Sequence, residues 1–179
     1  MRTTLEIINQ MQADGIIGKY AIGGAVGATF YLEPSATLDV DIFVTLPKVP
    51  ESSLMTVAPL YDYLKARGCM VQGEHIVIGD WPVQFLPASN ALEEEGLAEA
   101  RPAEVEGTKT FVMGAEYLIA IALRTGRAKD HNRILQFLEQ NAANIAKLKS
   151  ILGHHGLESK WERFERKFLT RTDEQEGNT

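Results

Sequence analysis

The run from Leu38 to Leu46 is apolar and rich in β-branched residues, yet it carries two acids, Asp39 and Asp41, two positions apart. Successive side chains of a strand point to opposite faces, so both carboxylates leave one face while Val40, Ile42 and Val44 leave the other. A strand apolar enough to be buried has no reason to accept two acids on one face, and burying them without a partner is costly. The pair therefore reads as a grip on one divalent cation or a bridge between two. Upstream, the short apolar run Tyr20-Ala21-Ile22 is closed by Gly23-Gly24, and the stretch from Ala25 to Leu32, ahead of Pro34, has helix-compatible composition. That order is strand, glycine turn, helix. A glycine pair lets backbone N–H groups approach phosphate oxygens with no Cβ in the way, and the helix behind it offers a positive end. Alone, a glycine pair is more often a plain turn, and an acid pair is more often an exposed strand face. Together, in this order, they specify much more.

The surrounding pattern predicts an α+β core. Thr3-Thr4-Leu5-Glu6 reads as a capping box opening a first helix with Leu5, Ile8 and Met11 on one face and Gly15 at its end. Pro47 and Pro50 stop the acid-bearing strand. Leu54, Val57, Tyr61 and Leu64 recur at helical steps up to Gly68, with Pro59 required to fall in the first turn or kink the helix. Glu74–Ile78 and Val83–Leu86 read as strands of a hairpin joined through Gly79-Asp80-Trp81-Pro82. From Gly114 the pattern is helical: one helix through Leu123 or Arg124, a break at Gly126, then segments near Asp130–Gln140, Asn144–Leu152 and Gly156–Phe168. The expected division is a core over 1–112, a helical extension over 113–169 and a polar, disordered tail over 170–179.

Charge divides along the same line. Residues 1–120 hold 7 Lys/Arg against 16 Asp/Glu, a balance of −9, while residues 121–168 hold 10 against 5, a balance of +5. An acidic front segment with a basic rear one suits a site where carboxylates hold cations and Lys or Arg hold phosphates, ordinary surface charge being the plainer alternative. Arg124, Arg127 and Lys129 stand at helix ends, where they could bind phosphates or simply complement the helix dipole. The net charge of −6 argues against strong passive binding of nucleic acid. Cys69 is the one cysteine, so no disulfide framework exists, and a small buried thiol in a reducing cytoplasm fits. No apolar run approaches the ~18 residues of a membrane helix, and Met1–Asp14 is unlike a signal peptide, so no membrane partner is expected. His75 reads as a half-buried structural residue of its strand, and His154-His155 as a helix end rather than a metal site.

The segment Ile22-Gly23-Gly24 followed by Thr37-Leu38-Asp39-Val40-Asp41-Ile42-Phe43 resembles the signature of the DNA polymerase β nucleotidyltransferase superfamily, in which Gly-Gly or Gly-Ser precedes Asp-hydrophobic-Asp. Thr37 matches the common Thr-x-Asp-x-Asp form. Tyr117–Leu123 followed by Arg124-Thr125-Gly126-Arg127-Ala128-Lys129-Asp130 is similar to the helix and Gly-Arg-x-Lys-Asp segment of minimal bacterial members, including relatives of type IV toxin–antitoxin toxins from abortive-infection systems. The resemblance runs from about Tyr20 to Leu138.

It implies a four- or five-stranded sheet with helices on it. It also implies transfer of a nucleoside monophosphate from a nucleoside triphosphate to a hydroxyl on RNA, protein or a small molecule, with magnesium or manganese as cofactor. Asp39 and Asp41 would hold the metal, and Gly23, Gly24 and Thr37 would line the nucleotide. Arg124, Arg127 and Lys129 would contact its phosphates or the acceptor, and a cognate antitoxin would be the partner of a toxin-type enzyme. Three positions depart from the pattern. Gln84 stands where a third carboxylate usually sits, Ala122 where relatives often have Lys, and Ser35 where some have Arg. An amide cannot serve as general base, though it can orient a group by hydrogen bonding. Asp80 in the adjacent turn is a weaker substitute. The alternative reading is a non-catalytic nucleotide-binding or protein-interaction relative.

Overall fold

The structure is a computed structural model and describes residues 1–33, 39–47 and 56–169. Pro34, Ser35, Thr37, Leu38, Pro50, Leu54 and the tail 170–179, all invoked above, lie outside the described residues. The chain divides into two compact units, Met1–Gly114 and Ala115–Thr179.

The first unit is built on one sheet with the order β3-β4-β5-β2-β1-β7-β6. Its strands are β1 (Tyr20–Ile22), β2 (Val40–Val44), β3 (Met70–Gln72), β4 (His75–Ile78), β5 (Trp81–Pro87), β6 (Arg101–Val105) and β7 (Thr108–Val112). Among the described residues, seven strands replace the four or five implied by the family resemblance. The additions are at the edges: β3, fully exposed, pairs antiparallel with β4, and β6 pairs antiparallel with β7. The centre is mixed, with β2 antiparallel to β1 and parallel to β5, and β1 parallel to β7.

Alternation decides which face is core. Tyr20 and Ile22 of β1, Val40, Ile42 and Val44 of β2, Ile76 and Ile78 of β4, and Val83 and Phe85 of β5 form one buried cluster. Helix α1 (Arg2–Ala13) adds Leu5, Ile8 and Met11 to it, and α3 (Ala58–Lys65) adds Leu60 and Leu64. Pro59 sits in the first turn of α3, where its missing N–H is harmless. Of the opposite face, β2 contributes Asp41 and Phe43, β5 contributes Gln84, and α4 (Ala91–Ala98) lies against β2.

Three local expectations are corrected. Helix α1 starts at Arg2, so the capping box at Thr3-Thr4-Leu5-Glu6 does not form. The Thr4 hydroxyl is buried and donates instead to the Ile78 carbonyl at 2.9 Å, a tertiary partner that outcompetes a local cap. Helix α2 ends at Ala28 (Gly24–Ala28) and gives way to turns rather than running to Leu32. The β4–β5 hairpin is tighter than read: Ile78 pairs with Trp81, leaving Gly79-Asp80 as a two-residue turn with Gly79 at φ +62°, the first-position glycine of a type II′ connection. Asp80 is exposed there as a turn former.

The end of α1 is tied to α3 by Asp14. Its carboxylate accepts from the Tyr63 hydroxyl at 2.5 Å and from Gln10 at 2.6 Å, while Arg67 lies 3.6 Å away and stacks over the Tyr63 ring. The Tyr63 hydrogen bond, with that from Gln10, holds the Asp14 carboxyl below its ordinary range. A depressed folded value means that the contribution is present above the unfolded pKa and is lost as pH falls through the folded one. Tyr63→Phe is therefore expected to move the Asp14 titration up towards an ordinary carboxylate. The carboxyl carbon shift followed by NMR against pH reads this directly, and an unmoved midpoint would assign the depression elsewhere. Cys69 is half-buried rather than buried, and that partial burial pushes its thiol up.

The second unit is helical throughout its described residues: α5 (Ala115–Thr125), α6 (Ala128–Glu139), α7 (Ile145–His154) and α8 (Glu158–Phe168). Gly126 takes φ +73° at the break, and Asn144 caps α7 by accepting from Lys147 N at 3.0 Å. Glu116, 3% exposed, accepts from Asn144 N at 2.8 Å and so joins α5 to the start of α7. No described helix is long and apolar enough to cross a membrane.

Candidate active site

β1 ends at Ile22 beside the start of β2, because the two strands run antiparallel with Ile22 opposite Ile42. This register brings the glycine turn to Asp41. Gly23 N–H donates to the Asp41 carbonyl at 2.8 Å, and Gly23 O accepts from Gly27 N at 2.7 Å, which starts α2. Gly24 takes φ +55°, a left-handed conformation that suits glycine. Space forbids a side chain as well. A Cβ on Gly24 would stand 2.7 Å from Cγ of Asp41 and nearer still to its carboxylate oxygen, and a Cβ on Gly23 would stand 2.6 Å from Cδ2 of Phe43. Both glycines thus exist to let the backbone lie directly on the Asp41–Phe43 face of β2. Because Gly23 N–H serves Asp41 O, the amides without an intrahelical acceptor begin at Gly24.

Gln84 is the β5 partner of Asp41 in the parallel β2–β5 ladder, and Val83 and Phe85 on either side of it are 0% and 5% exposed in the core. Paired residues share a face, so the amide stands beside the acid pair and not in the core. Asp39 immediately precedes β2, with its side chain 40% exposed. Its Oδ2 lies 3.4 Å from Nε2 of His75 on β4. Sequence reasoning missed this neighbour. His75 is one position before Ile76, which pairs with Val83, so it falls level with Gln84 on the acid-bearing face. A period-two pattern marks a half-buried strand residue but says nothing of which strand lies next to which.

The three cations fall in the second unit. Arg124 is exposed near the end of α5, its carbonyl accepting from Lys160 Nζ at 2.8 Å. Arg127 precedes α6 and is held by Asp130: Nε donates to Oδ2 at 2.8 Å, a terminal nitrogen to Oδ1 at 3.2 Å, and the backbone N–H to Oδ2 at 3.2 Å. Asp130 is only 1% exposed, and Arg133 stands 3.8 Å from it. The Gly-Arg-x-Lys-Asp segment is therefore a helix cap in which Asp130 offsets the charge of Arg127, while Lys129 is exposed in the first turn of α6. Ala122 is buried in α5, where a lysine would have no room in solvent.

No family model matches the chain, and no curated protein matches it. Solved structures do. The crystal structure of ANT(2″)-Ia in complex with adenylyl-2″-tobramycin aligns over 89% of this chain and 99% of that one, with 15% identity and a TM-score of 0.51. An antigenic nucleotidyltransferase-like protein from Paracoccidioides brasiliensis aligns over 96% and 90%, with 12% identity and a TM-score of 0.54. The fold is that of a nucleotidyltransferase. At these identities the likeness concerns the fold, and the site rests on its own geometry.

The donor set for a divalent cation would be Asp39 and Asp41, two carboxylates spaced for one strand face, and Nε2 of His75 is buried 3.4 Å from Oδ2 of Asp39. If Gln84 belongs to this set, Gln84→Glu is expected to tighten divalent-cation binding by about tenfold, on the scale of a ligand or near-ligand change. Calorimetry checks it, and an unchanged constant would place position 84 outside the set.

Proposed function

We propose that the protein is a metal-dependent nucleotidyltransferase that moves a nucleoside monophosphate from a nucleoside triphosphate to an acceptor hydroxyl. The observation that carries this reading is the left-handed Gly24, seated on the carboxylate of Asp41 where no side chain fits, within a nucleotidyltransferase fold. Such a contact has no purpose in a plain turn, whereas it keeps backbone close to an acid that must face a phosphate-bound cation.

Asp39 and Asp41 would hold magnesium or manganese, which when bound neutralises triphosphate charge and polarises the phosphorus under attack. The chain's own residues position the rest. Gly24 leaves room for the phosphates beside Asp41, and Asp41, fixed by the Gly23 amide on its backbone, keeps its carboxylate on the site face. The acceptor hydroxyl oxygen forms a bond to the α-phosphorus and gives its proton to water, while the bond from the α-phosphorus to the bridging oxygen of the β-phosphate breaks and pyrophosphate leaves. Gln84 beside Asp41 can orient the acceptor by hydrogen bonding but cannot take its proton. Arg124, Arg127 and Lys129 belong to the second unit, where Asp130 already holds the Arg127 guanidinium.

The ANT(2″)-Ia complex contains an adenylylated small molecule. That supports testing small hydroxylated molecules beside the RNA and protein acceptors of a toxin-type enzyme, for which a cognate antitoxin would be the partner. The second reading, a nucleotide-binding relative without catalysis, is favoured by one observation: the position beside Asp41 carries an amide where a base would be. Triphosphates labelled at the α-phosphate, incubated with each acceptor class and either cation, separate the two. Label on one class, abolished by Asp41→Asn, supports transfer. Labelling that survives Asp41→Asn contradicts it, and metal-dependent binding with no labelling favours the second reading.

A further inference from the structure

We infer that the second unit carries a binding site for single-stranded nucleic acid, a cleft on one face of α8 in which Phe168 and His131 take a base by stacking and Lys160, Arg163 and Lys167 take the phosphates. The inference concerns the second unit alone and stands whether or not the first unit transfers nucleotides.

Helix α8 sorts its charges by face. Lys160, Arg163, Phe164, Lys167 and Phe168 fall at i, i+3, i+4, i+7 and i+8, so they share one side of the helix, whereas Glu158, Glu162 and Glu165 share another. The two sides line separate clefts. Like charges three and four residues apart destabilise a helix, and alternating the signs would remove that cost. Among the described residues no carboxylate lies within ion-pair distance of Lys160, Arg163 or Lys167. Lys160 donates to the Arg124 carbonyl at 2.8 Å, which occupies one of its three donors and none of its charge. Three uncompensated cations on one face call for an anion there, and the rings beside them narrow its class. His131 of α6 stands 5.1 Å from Phe168 and 5.7 Å from Phe164, centroid to centroid, and the two phenylalanines are 5.0 Å apart. Phe164 is buried and belongs to the packing, while His131 and Phe168 are half-buried and line the cleft together with the three cations. The cleft holds about 240 Å³, less than the ~300–1,000 Å³ that encloses a drug-sized molecule, and so has room for one flat base. The cations reach along α8 for about 10 Å at 1.5 Å per residue, a span that suits successive phosphates of a strand and exceeds a single phosphate group. A base lies on a protein ring only once it has left the duplex stack, so the strand is single. An acidic peptide or inorganic phosphate would use the cations and leave the rings without a role. With three contacts against a net charge of −6, binding is modest and depends on salt.

Fluorescence anisotropy of a labelled single strand of about eight nucleotides, RNA or DNA, titrated with the full chain at several salt concentrations and without divalent metal, tests this. Three phosphate contacts predict that log K falls with log salt at a slope of about −2, since each contributes about 0.7 on a single strand. Arg163→Gln and Lys167→Gln should each reduce the slope by about 0.7, and Phe168→Ala should weaken binding about tenfold at an unchanged slope. Lys149→Gln, an exposed cation outside the cleft, should change neither. Should Phe168→Ala fail to fold, the two variants at exposed cations and the competitors still decide. Poly-glutamate of equal charge, or ATP, displacing the label as effectively as unlabelled strand overturns the assignment to a strand, and so does a duplex that binds as tightly. No binding at low salt, or a slope that survives both Arg163→Gln and Lys167→Gln, overturns the site. None of these variants touches Asp41 or the glycine turn, so each of these failures leaves the nucleotidyltransferase reading standing.

Discussion

Gly24→Ala should destabilise the protein by about 2–5 kcal/mol and disable the site at the same time. Two costs add. A left-handed conformation costs an ordinary residue roughly 1–2 kcal/mol, and forcing a methyl into a filled space costs about 1–3 kcal/mol more. The space here is filled by Asp41, whose Cγ would lie 2.7 Å from the new carbon. Relief requires the carboxylate to turn away or β2 to shift, and either displaces the carboxylate proposed to hold the metal. Gly15 is the control: its φ is +72°, but a Cβ there would meet nothing within 4 Å. Gly15→Ala should therefore lose only the roughly 1–2 kcal/mol backbone part. Urea midpoints at unchanged slope compare the two. Equal losses would mean that the Asp41 contact yields on substitution and that the glycine turn does not constrain the site.

The acid-bearing strand, the glycine turn and the helical second unit were legible because each rests on local chemistry. Gly-Gly, an Asp pair at period two, and caps such as Asn144 all announce themselves within a few residues. The edges of the sheet did not. β6 contains Pro102 and alternates exposed with half-buried residues, and β7 interleaves Lys109 and Phe111 with buried positions, so neither forms an apolar run. Their turn had a signal, since Glu106 and Gly107 both take positive φ, but Glu-Gly is a weaker marker than Asn-Gly or Asp-Gly. Helix α4 was also overlooked, although Asn90 caps it through Glu93 N at 3.3 Å and Glu93 reaches back to Ser89 N at 2.9 Å.

Within the site, what sequence could not supply was neighbourhood. Gln84 could be placed beside Asp41 by assuming a shared fold, whereas His75 came into view only with the strand order β4-β5-β2. The cap at Thr3-Thr4 failed for a related reason: the Thr4 hydroxyl found its acceptor in Ile78, far along the chain. Long-range pairing decided all three cases.

The second large effect concerns charge. The residues up to 120 carry a balance of −9, and a triphosphate adds about four more negative charges, so Coulomb terms oppose binding until a cation enters. Asp39→Asn with Asp41→Asn removes two of those charges, which would favour a metal-free nucleotide slightly, and at the same time removes the grip on the cation. The cation is worth several kcal/mol to a developing or resident phosphate charge, so affinity in its presence should fall by on the order of a hundredfold or more. Opposite signs with and without metal distinguish this from a simple loss of fold.

Calorimetric titration of ATP, GTP, CTP and UTP, each with and without Mg²⁺ or Mn²⁺, on the wild type and on the double Asp39→Asn, Asp41→Asn variant, tests the central claim most directly. The account predicts binding of at least one triphosphate by the wild type only when the divalent cation is present, and its loss in the double variant. Binding that ignores the cation and survives both substitutions would contradict it.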